Sequence, residues 1–503
     1  MIAERPGVTK RRVALVPLDE RPVNTGLVQD VAAVAGAECT LPGADLLPCF
    51  RQMGDVAGIA GWLRQQASEA DALVVSIDTL VYGGLIAART SDDTIEAAVG
   101  RLSLLRQIAA AQPGLPILGC SLITRASDSY SATEEPAYWA RFGRDLHRLG
   151  ADAHQAWLAG QTLPDQPIPS DIRGDFVRRR LRNHVVNLAV LRLSWDHVLS
   201  YLALTADDTA RYAAGSAEQV WLDYWRVLAG PDLPVVSYQG ADETGAVLMA
   251  RALLAGTGAP PRVHVVTAAA SSLELIPPYE NRPLRVTIEQ QLAAAGAQPA
   301  GAEDAELVLV VHGPDPGRGD HFSLTEPTAN QAAVAATADL VGQALAGPVP
   351  VALADVRFTN GGDADLAGAL AQRGLLGRLA AYGGWNTAGN ALGSTIAMGL
   401  AGVAGRRRGT LSRTAQAVAL RRRLLDDVAW QAVVRRRLMA DADIFAGSIS
   451  PVADDVLARA SVKARQALAA ALADWGLASG YEVSQVTFPW HRSFEIDISL
   501  KVA

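Results

Sequence analysis

Residues 235–245, VVSYQGADETG, end a β-branched apolar run in two adjacent carboxylates, Asp242 and Glu243. Such a run is covered on both faces in an α/β domain, and its carboxyl end is where a parallel sheet presents groups to a ligand. Two acids at that point suit proton transfer: one donates or takes the proton while the other orients the substrate. The same string also reads as a helix start, with Asp242 capping and Glu243 favouring the dipole. Other apolar runs end in polar clusters as well. LDERPVN carries Asp19, Glu20, Arg21 and Asn24; SIDTLVYGGL carries Asp78 and Tyr82; Thr124 and Arg125 follow the third run. TADDTARY adds Asp207, Asp208 and Tyr212, ELVLVVH ends in His312, and DVRFTNGGD brings Asp355, Arg357 and Asn360. A last segment, AAYGGWNTAGNALGS, combines Trp385, Asn386, Thr387 and Asn390. An indole with flanking amides covers the apolar face of a sugar and bonds its hydroxyls; a glycine-rich turn around a half-buried Trp is the plainer reading.

The elements that must position these groups follow from hydropathy. Eight runs read as strands: 11–18, 71–77, 115–123, 199–205, 233–239, 262–268, 306–312 and 349–355. Longer Ala/Leu/Arg segments of helical period separate them, the alternation of a parallel sheet. The fold expected is a (β/α)8 barrel-like catalytic domain over residues 1–395, whose mouth would gather the polar strand ends. An open doubly wound sheet is the alternative. Residues 126–198 form an insert whose arginines read as a solvated helix face. Beyond residue 395, Arg-rich helical stretches and an alternating tail, YEVSQVTFPWHRSFEIDISLKV, read as a mainly helical C-terminal subdomain, 396–503, ending in strands. GPDPGRGD reads as a loop, and no internal repeat stands out.

Composition narrows the chemistry. A net charge of -7 gives no field for nucleic acid. Cys39, Cys49 and Cys120 lack a CxxC spacing, so neither a disulfide framework nor a zinc site is implied, and a reducing cytoplasm fits. The start, MIAERPGVTKRR, has no signal core and no later run spans a bilayer, so a soluble, unexported protein without a membrane partner is expected. Ala-, Arg- and Gly-rich usage with little Lys points to a genome of high GC content. No phosphate loop, dinucleotide spacing or GxSxG occurs. Among eight histidines only His312 ends a strand, and His491, in FPWHRSFE, reads as packing. Asp19, Asp78, Asp207, Asp208, Asp242 and His312 are an oxygen-rich set that suits magnesium, manganese or calcium. Their spacing assigns no metal, and no cofactor is expected.

Taken together, VPLDERPVN, SIDTLVYGGL, TADDTARY, QGADETG and YGGWNTAGNALGS resemble, over nearly the whole chain, a bacterial family known as domain of unknown function 4127, which confers no activity. GADE after a strand is similar to the Gly-Asp-Glu signature of the family-twenty hexosaminidases. That likeness implies Glu243 as general acid, with a raised pKa. Asp242 would stay ionised and hold the 2-acetamido group whose carbonyl oxygen attacks the anomeric carbon. The pair sits on the fifth run here and on the fourth strand in those enzymes, and their aromatic cage is not traceable. The expected activity is hydrolysis of a β-N-acetylhexosaminide (β-GalNAc or β-GlcNAc), as a small molecule or oligosaccharide. Substrate contacts would come from Asp19, Arg21, Asn24, Asp78, Tyr82, Arg125, Asp207, Asp208, His312, Asn360, Trp385 and Asn386. The alternatives are an oxygen-ligated metal hydrolase or phosphotransferase using Asp19, Asp207, Asp208 and Asp242, and a non-catalytic carbohydrate-binding protein. Composition does not fix the oligomeric state.

Overall fold

The computed structural model describes residues 10–316, 319–323, 327–447 and 452–502; the polar start before Lys10 and part of the GPDPGRGD loop lie outside them. The strands are β1 (Arg12–Val16), β2 (Glu38–Thr40), β3 (Ala72–Ser76), β4 (Ile117–Ile123), β5 (Tyr201–Ala206), β6 (Val235–Gln239), β7 (Arg262–Thr267), β8 (Gln298–Pro299), β9 (Leu307–His312), β10 (Val351–Asp355), β11 (Ala381–Gly383), β12 (Tyr481–Thr487) and β13 (Asp497–Val502). Each of the eight expected runs contains a strand.

They do not close into a ring. A parallel six-stranded sheet, β2-β1-β3-β4-β5-β6, and a parallel five-stranded sheet, β11-β10-β9-β7-β8, stand apart, so among the described residues there is no (β/α)8 barrel. The fold is α/β with two open sheets. Read from its β8 edge, the second sheet runs β8-β7-β9-β10-β11, which repeats the winding β2-β1-β3-β4-β5 of the first. The repeat lies in the topology; none stood out in the sequence.

Four helices, Gly26–Val34, Thr244–Leu254, Leu284–Ala295 and Ala388–Arg408, are shared between the sheets. Val13, Leu15 and Ala203 of the first sheet and Leu309, Ala352 and Ala354 of the second pack with them in one apolar core. Helix Ala388–Arg408 is buried from Ala388 to Gly405, because its inward residues are mostly Ala and Gly that let two sheets approach. The domain boundary expected after residue 395 therefore falls inside a buried helix instead of a linker. The outer face of the second sheet carries the C-terminal helices and the antiparallel pair β12–β13. A π-helical stretch, Leu424–Val434, interrupts those helices; such stretches collect at functional sites.

Helix Ser170–Trp195 keeps Arg173, Arg178 and Arg192 exposed, as expected of a solvated face, but one arginine departs from it. Arg182 is buried, donating to the carbonyls of Ala88 (2.7 Å) and Ser91 (2.6 Å). A guanidinium survives burial only where its donors find acceptors, and the carbonyls at the C-terminal end of helix Leu85–Thr90 supply them.

One tight approach inside the helix layer makes a prediction. A Cβ on Gly393 would lie 2.3 Å from Glu243 Cγ and 2.8 Å from Gln291 Oε1. Gly393→Ala is expected to cost about 1–3 kcal/mol by overpacking, read as a lowered Tm.

Candidate functional site

The carboxyl ends of the two sheets meet. In the first sheet the chain leaves β1 and β3 to opposite sides, and ligands in open α/β sheets bind in the crevice outside such a switch point. Asp19, Arg21 and Asn24 follow β1 there, and Asp78 follows β3. Arg21 is at the centre, with Nε and Nη2 on the Asp19 carboxylate (3.0 and 2.7 Å), Nη2 also on Asp242 Oδ1 (2.5 Å) and Nη1 3.4 Å from Glu495 Oε1. Asn24 Nδ2 bridges the two aspartates at 2.9 and 3.2 Å. From the second sheet, Asn386 donates to Asp242 Oδ2 at 3.4 Å, and its carbonyl accepts from Asn360 N at 2.8 Å. Asp242 thus receives donors from both halves of the fold. Burial pushes its pKa up to about 6 against the pull of Arg21.

The two adjacent acids part company. Asp242 faces the Arg21 cluster, whereas Glu243 turns into the helix layer and is 0 % exposed. Glu243 accepts from Gln291 Nε2 (2.8 Å) and Ala241 N (2.9 Å), and burial raises its pKa to about 7. Neither acid caps helix Thr244–Leu254, which has no side-chain cap. Asn390 Oδ1 holds the backbone N–H groups of both instead, at 3.1 and 3.3 Å. Gly240 belongs to this turn of necessity: its φ is +154° and a Cβ would sit 1.9 Å from Glu243 Oε1.

A chain of ion pairs carries the cluster outward. Glu495 binds Arg492 (2.5 Å), which also binds Glu134 (2.5 Å) of the insert. Glu134 meets Arg125 (3.1 Å) and Arg89 (3.2 Å), and these hold Asp208 (2.6 Å) and Asp207 (2.5 Å) at the end of β5. Arg125 and Arg492 keep Glu134 below the usual carboxylate range in spite of its burial. Trp490 covers the network, with the guanidinium carbons of Arg21 and Arg492 at 4.4 and 4.6 Å from its ring and its Nε1 on Glu20 Oε1 at 2.6 Å.

Backbone strain collects at the same place. Eight non-glycine residues among those described have positive φ, and six of them, Phe50, Tyr279, Asn360, Asn386, Trp490 and His491, lie in the turns around this network. Phe50 packs on Trp490 with tilted rings 5.4 Å apart, and Tyr279 donates to Asp320, which also accepts from Asn360. Each such residue costs on the order of 1–3 kcal/mol unless its surroundings hold it, and strain of this kind concentrates at functional sites.

Several expected contacts lie elsewhere. His312 is buried against Thr337 (2.8 Å) and Asp363 (3.3 Å), in a second cluster with Arg357, Asp355 and Tyr382 that makes no hydrogen bond to Asp242. Tyr82 is buried on the outer side of the first sheet beneath Arg182. Asp78 accepts from Leu122 N and is raised to about 7 by burial; it lines a small cavity with Asn24 and Ala241. Trp385 packs on Phe494 (5.8 Å), so its ring is already covered. His491 pairs at the surface with Asp454. Its neighbours Trp490, Arg492 and Glu495, with Glu134 and Arg89, are site residues the sequence reading passed over; seven polar or aromatic residues among the eight of FPWHRSFE were the signal for the tail. Among the described residues no three His, Cys, Asp or Glu are grouped to hold a metal. Of the aspartates suited to oxygen ligation, Asp19, Asp207, Asp208 and Asp242 pair with arginines.

One family model matches residues 13–499, nearly the whole chain. The chain belongs to that family. Its description is "Protein of unknown function (DUF4127)". No curated protein and no solved structure matches the chain. The family membership spans both sheets, so the shared helix layer and the Arg21 cluster both fall within the matched region. No helix of the described residues is long and apolar enough to cross a membrane.

Proposed function

We propose that this member of the family is a hydrolase of the glycosidase class, and that Asp242 transfers the proton. The observation that carries the reading is Asp242 itself: buried, raised to about 6, and approached by Arg21, Asn24 and Asn386 from both sheets. A general acid–base works best with a pKa near the operating pH. Arg21 and Asn24 keep the carboxylate in one orientation, and Asp19 neutralises the far side of the guanidinium. Asn386, Asn360 and Asp320 offer amide and carboxylate partners for hydroxyls, beside the half-exposed rings of Tyr279 and Phe322. That mixture of aromatic faces and hydrogen-bonding groups suits a sugar. Glu243 is the weaker candidate for proton donation, because both its oxygens are engaged by Gln291 and Ala241 away from this cluster.

The test is a panel of 4-nitrophenyl glycosides, with β-GalNAc, β-GlcNAc and their non-acetylated counterparts, run with and without EDTA. Cleavage that falls at least ~100-fold in Asp242→Asn and only a few-fold in Glu243→Gln is expected. Loss in Glu243→Gln with selectivity for N-acetylated sugars would return the proton to Glu243 and restore substrate assistance. Loss on chelation would move the aspartates to a metal, and silence across the panel would overturn the sugar class.

A further inference from the structure

We propose that the outer face of helix Ala214–Ala229 is the interface of a two-fold homodimer. The helix is apolar on the side that should meet water. Val220, Tyr224 and Val227 form one exposed row at i, i+4, i+7, and Trp221, Trp225 and Leu228 form the row beside it. Its inner face carries Gly215, Ser216, Gln219 and Leu222, which are buried. An apolar stripe of this width on a helix normally faces a core; here it faces outward. The neighbouring helix Trp139–Ala159 extends the patch, Trp157 stacking on Trp221 at 5.8 Å with Leu158 beside it.

Area selects the occupant. Trp157, Trp221, Tyr224 and Trp225 are 49 %, 46 %, 53 % and 45 % exposed. About half of the 150–250 Å² that such a side chain buries is still open on each, so the four rings together with Leu158, Val220, Val227 and Leu228 expose on the order of 800 Å². That exceeds the few hundred Å² usual for the largest apolar patch of a monomer and equals one partner's share of a standard interface. A two-fold axis pairs the patch with itself, which requires that no like charges meet at its centre. None does: the rows carry no charge, and the flanking Asp223 is held within the protomer by Arg226 (3.1 Å) and Arg282 (2.9 Å). Trp and Tyr are also the residues that dominate binding at interface centres. A lipid surface fits less well, because amphipathic helices that lie on membranes carry Lys and Arg on their polar face, and this helix has Glu218, Asp223 and a single Arg226.

Sedimentation velocity on the full chain tests the assignment. The wild-type protein is expected to sediment as a dimer at micromolar concentration. The double variant Trp221→Glu/Trp225→Glu is expected to weaken the dimer at least ~100-fold, with an unchanged far-ultraviolet circular dichroism spectrum, whereas Val462→Glu, at an exposed position on helix Asp454–Asp474, leaves the dimer intact. A wild-type monomer at every concentration, a double variant that still dimerises, or co-sedimentation of the wild type with phosphatidylcholine/phosphatidylglycerol vesicles would each overturn it.

Discussion

Arg21→Met lowers the stability of the folded protein by about 3–5 kcal/mol at pH 8, and by clearly less at pH 5. Arg21 is buried and is the shared partner of Asp19, Asp242 and Glu495. Removing it leaves buried carboxylates facing one another, and breaking a buried pair costs more than the pair contributes because the remaining charges keep their desolvation penalty. The pH dependence follows from Asp242. Burial has already raised its pKa to about 6, and without the guanidinium the folded-state value rises further above the unfolded one. A carboxyl of that kind binds more protons folded than unfolded, so stability is fully present below the unfolded value and is lost as pH rises through the folded one. Arg21→Lys keeps a charge but loses the fork that spans two aspartates, and falls between the two. Thermal denaturation of the three proteins at pH 5 and pH 8 measures this. Equal losses at both pH values would mean that Arg21 acts through packing against Trp490 instead.

The same cluster shows what could and could not be read in the residues. The eight central strands were legible because a parallel strand buried on both faces is a continuous Val/Leu/Ile run. β2, β8 and β11 were not, having three, two and three residues and little periodicity to show. Which strand pairs with which is non-local, and eight strands are as compatible with one ring as with two sheets; only the pairing decides. The polar ends after β1 and β6 were legible as site residues, and the structure joins them through Arg21 and Asp242, 221 residues apart. Glu495 reaches Arg21 across 474 residues; the polar and aromatic string around it marks the segment, but nothing local names Arg21 as its partner. Glu134 lay in the insert 126–198, of which only the arginines of one helix were read. The adjacency of Asp242 and Glu243 misled in the opposite sense: neighbours in sequence face different surroundings when they straddle the turn into a helix.

Glu243 supplies the second large effect, on stability as a function of pH. Three buried acids beneath the site have raised pKa values: Asp78 about 7, Glu243 about 7 and Glu280 about 8, burial being the main cause in each. Glu280 accepts from Gly389 N (2.6 Å) and Thr287 Oγ1 (3.0 Å), and the charge of Glu243 raises it further. Each is therefore protonated in the folded protein at mildly acid pH and ionised in the unfolded chain, which makes the folded state the one that binds more protons. Stability falls as pH rises from about 5 towards 9. Glu134 and Asp363, held below the usual range, act at the other end and withdraw their contribution only in acid. One pKa unit corresponds to about 1.4 kcal/mol, so the rise of Glu243 from its ordinary value accounts for roughly 3 kcal/mol across the window. Glu243→Gln removes the titration while keeping the shape, and Gln291, whose Oε1 has no partner, turns to accept from the new amide. The variant is expected to match the wild type at pH 5 and to exceed it by roughly 2–3 kcal/mol at pH 9. A denaturant midpoint measured at both pH values decides the matter: a variant that loses stability equally at each would place a charged Glu243 in the folded protein, and with it a role in the chemistry that its buried setting otherwise denies.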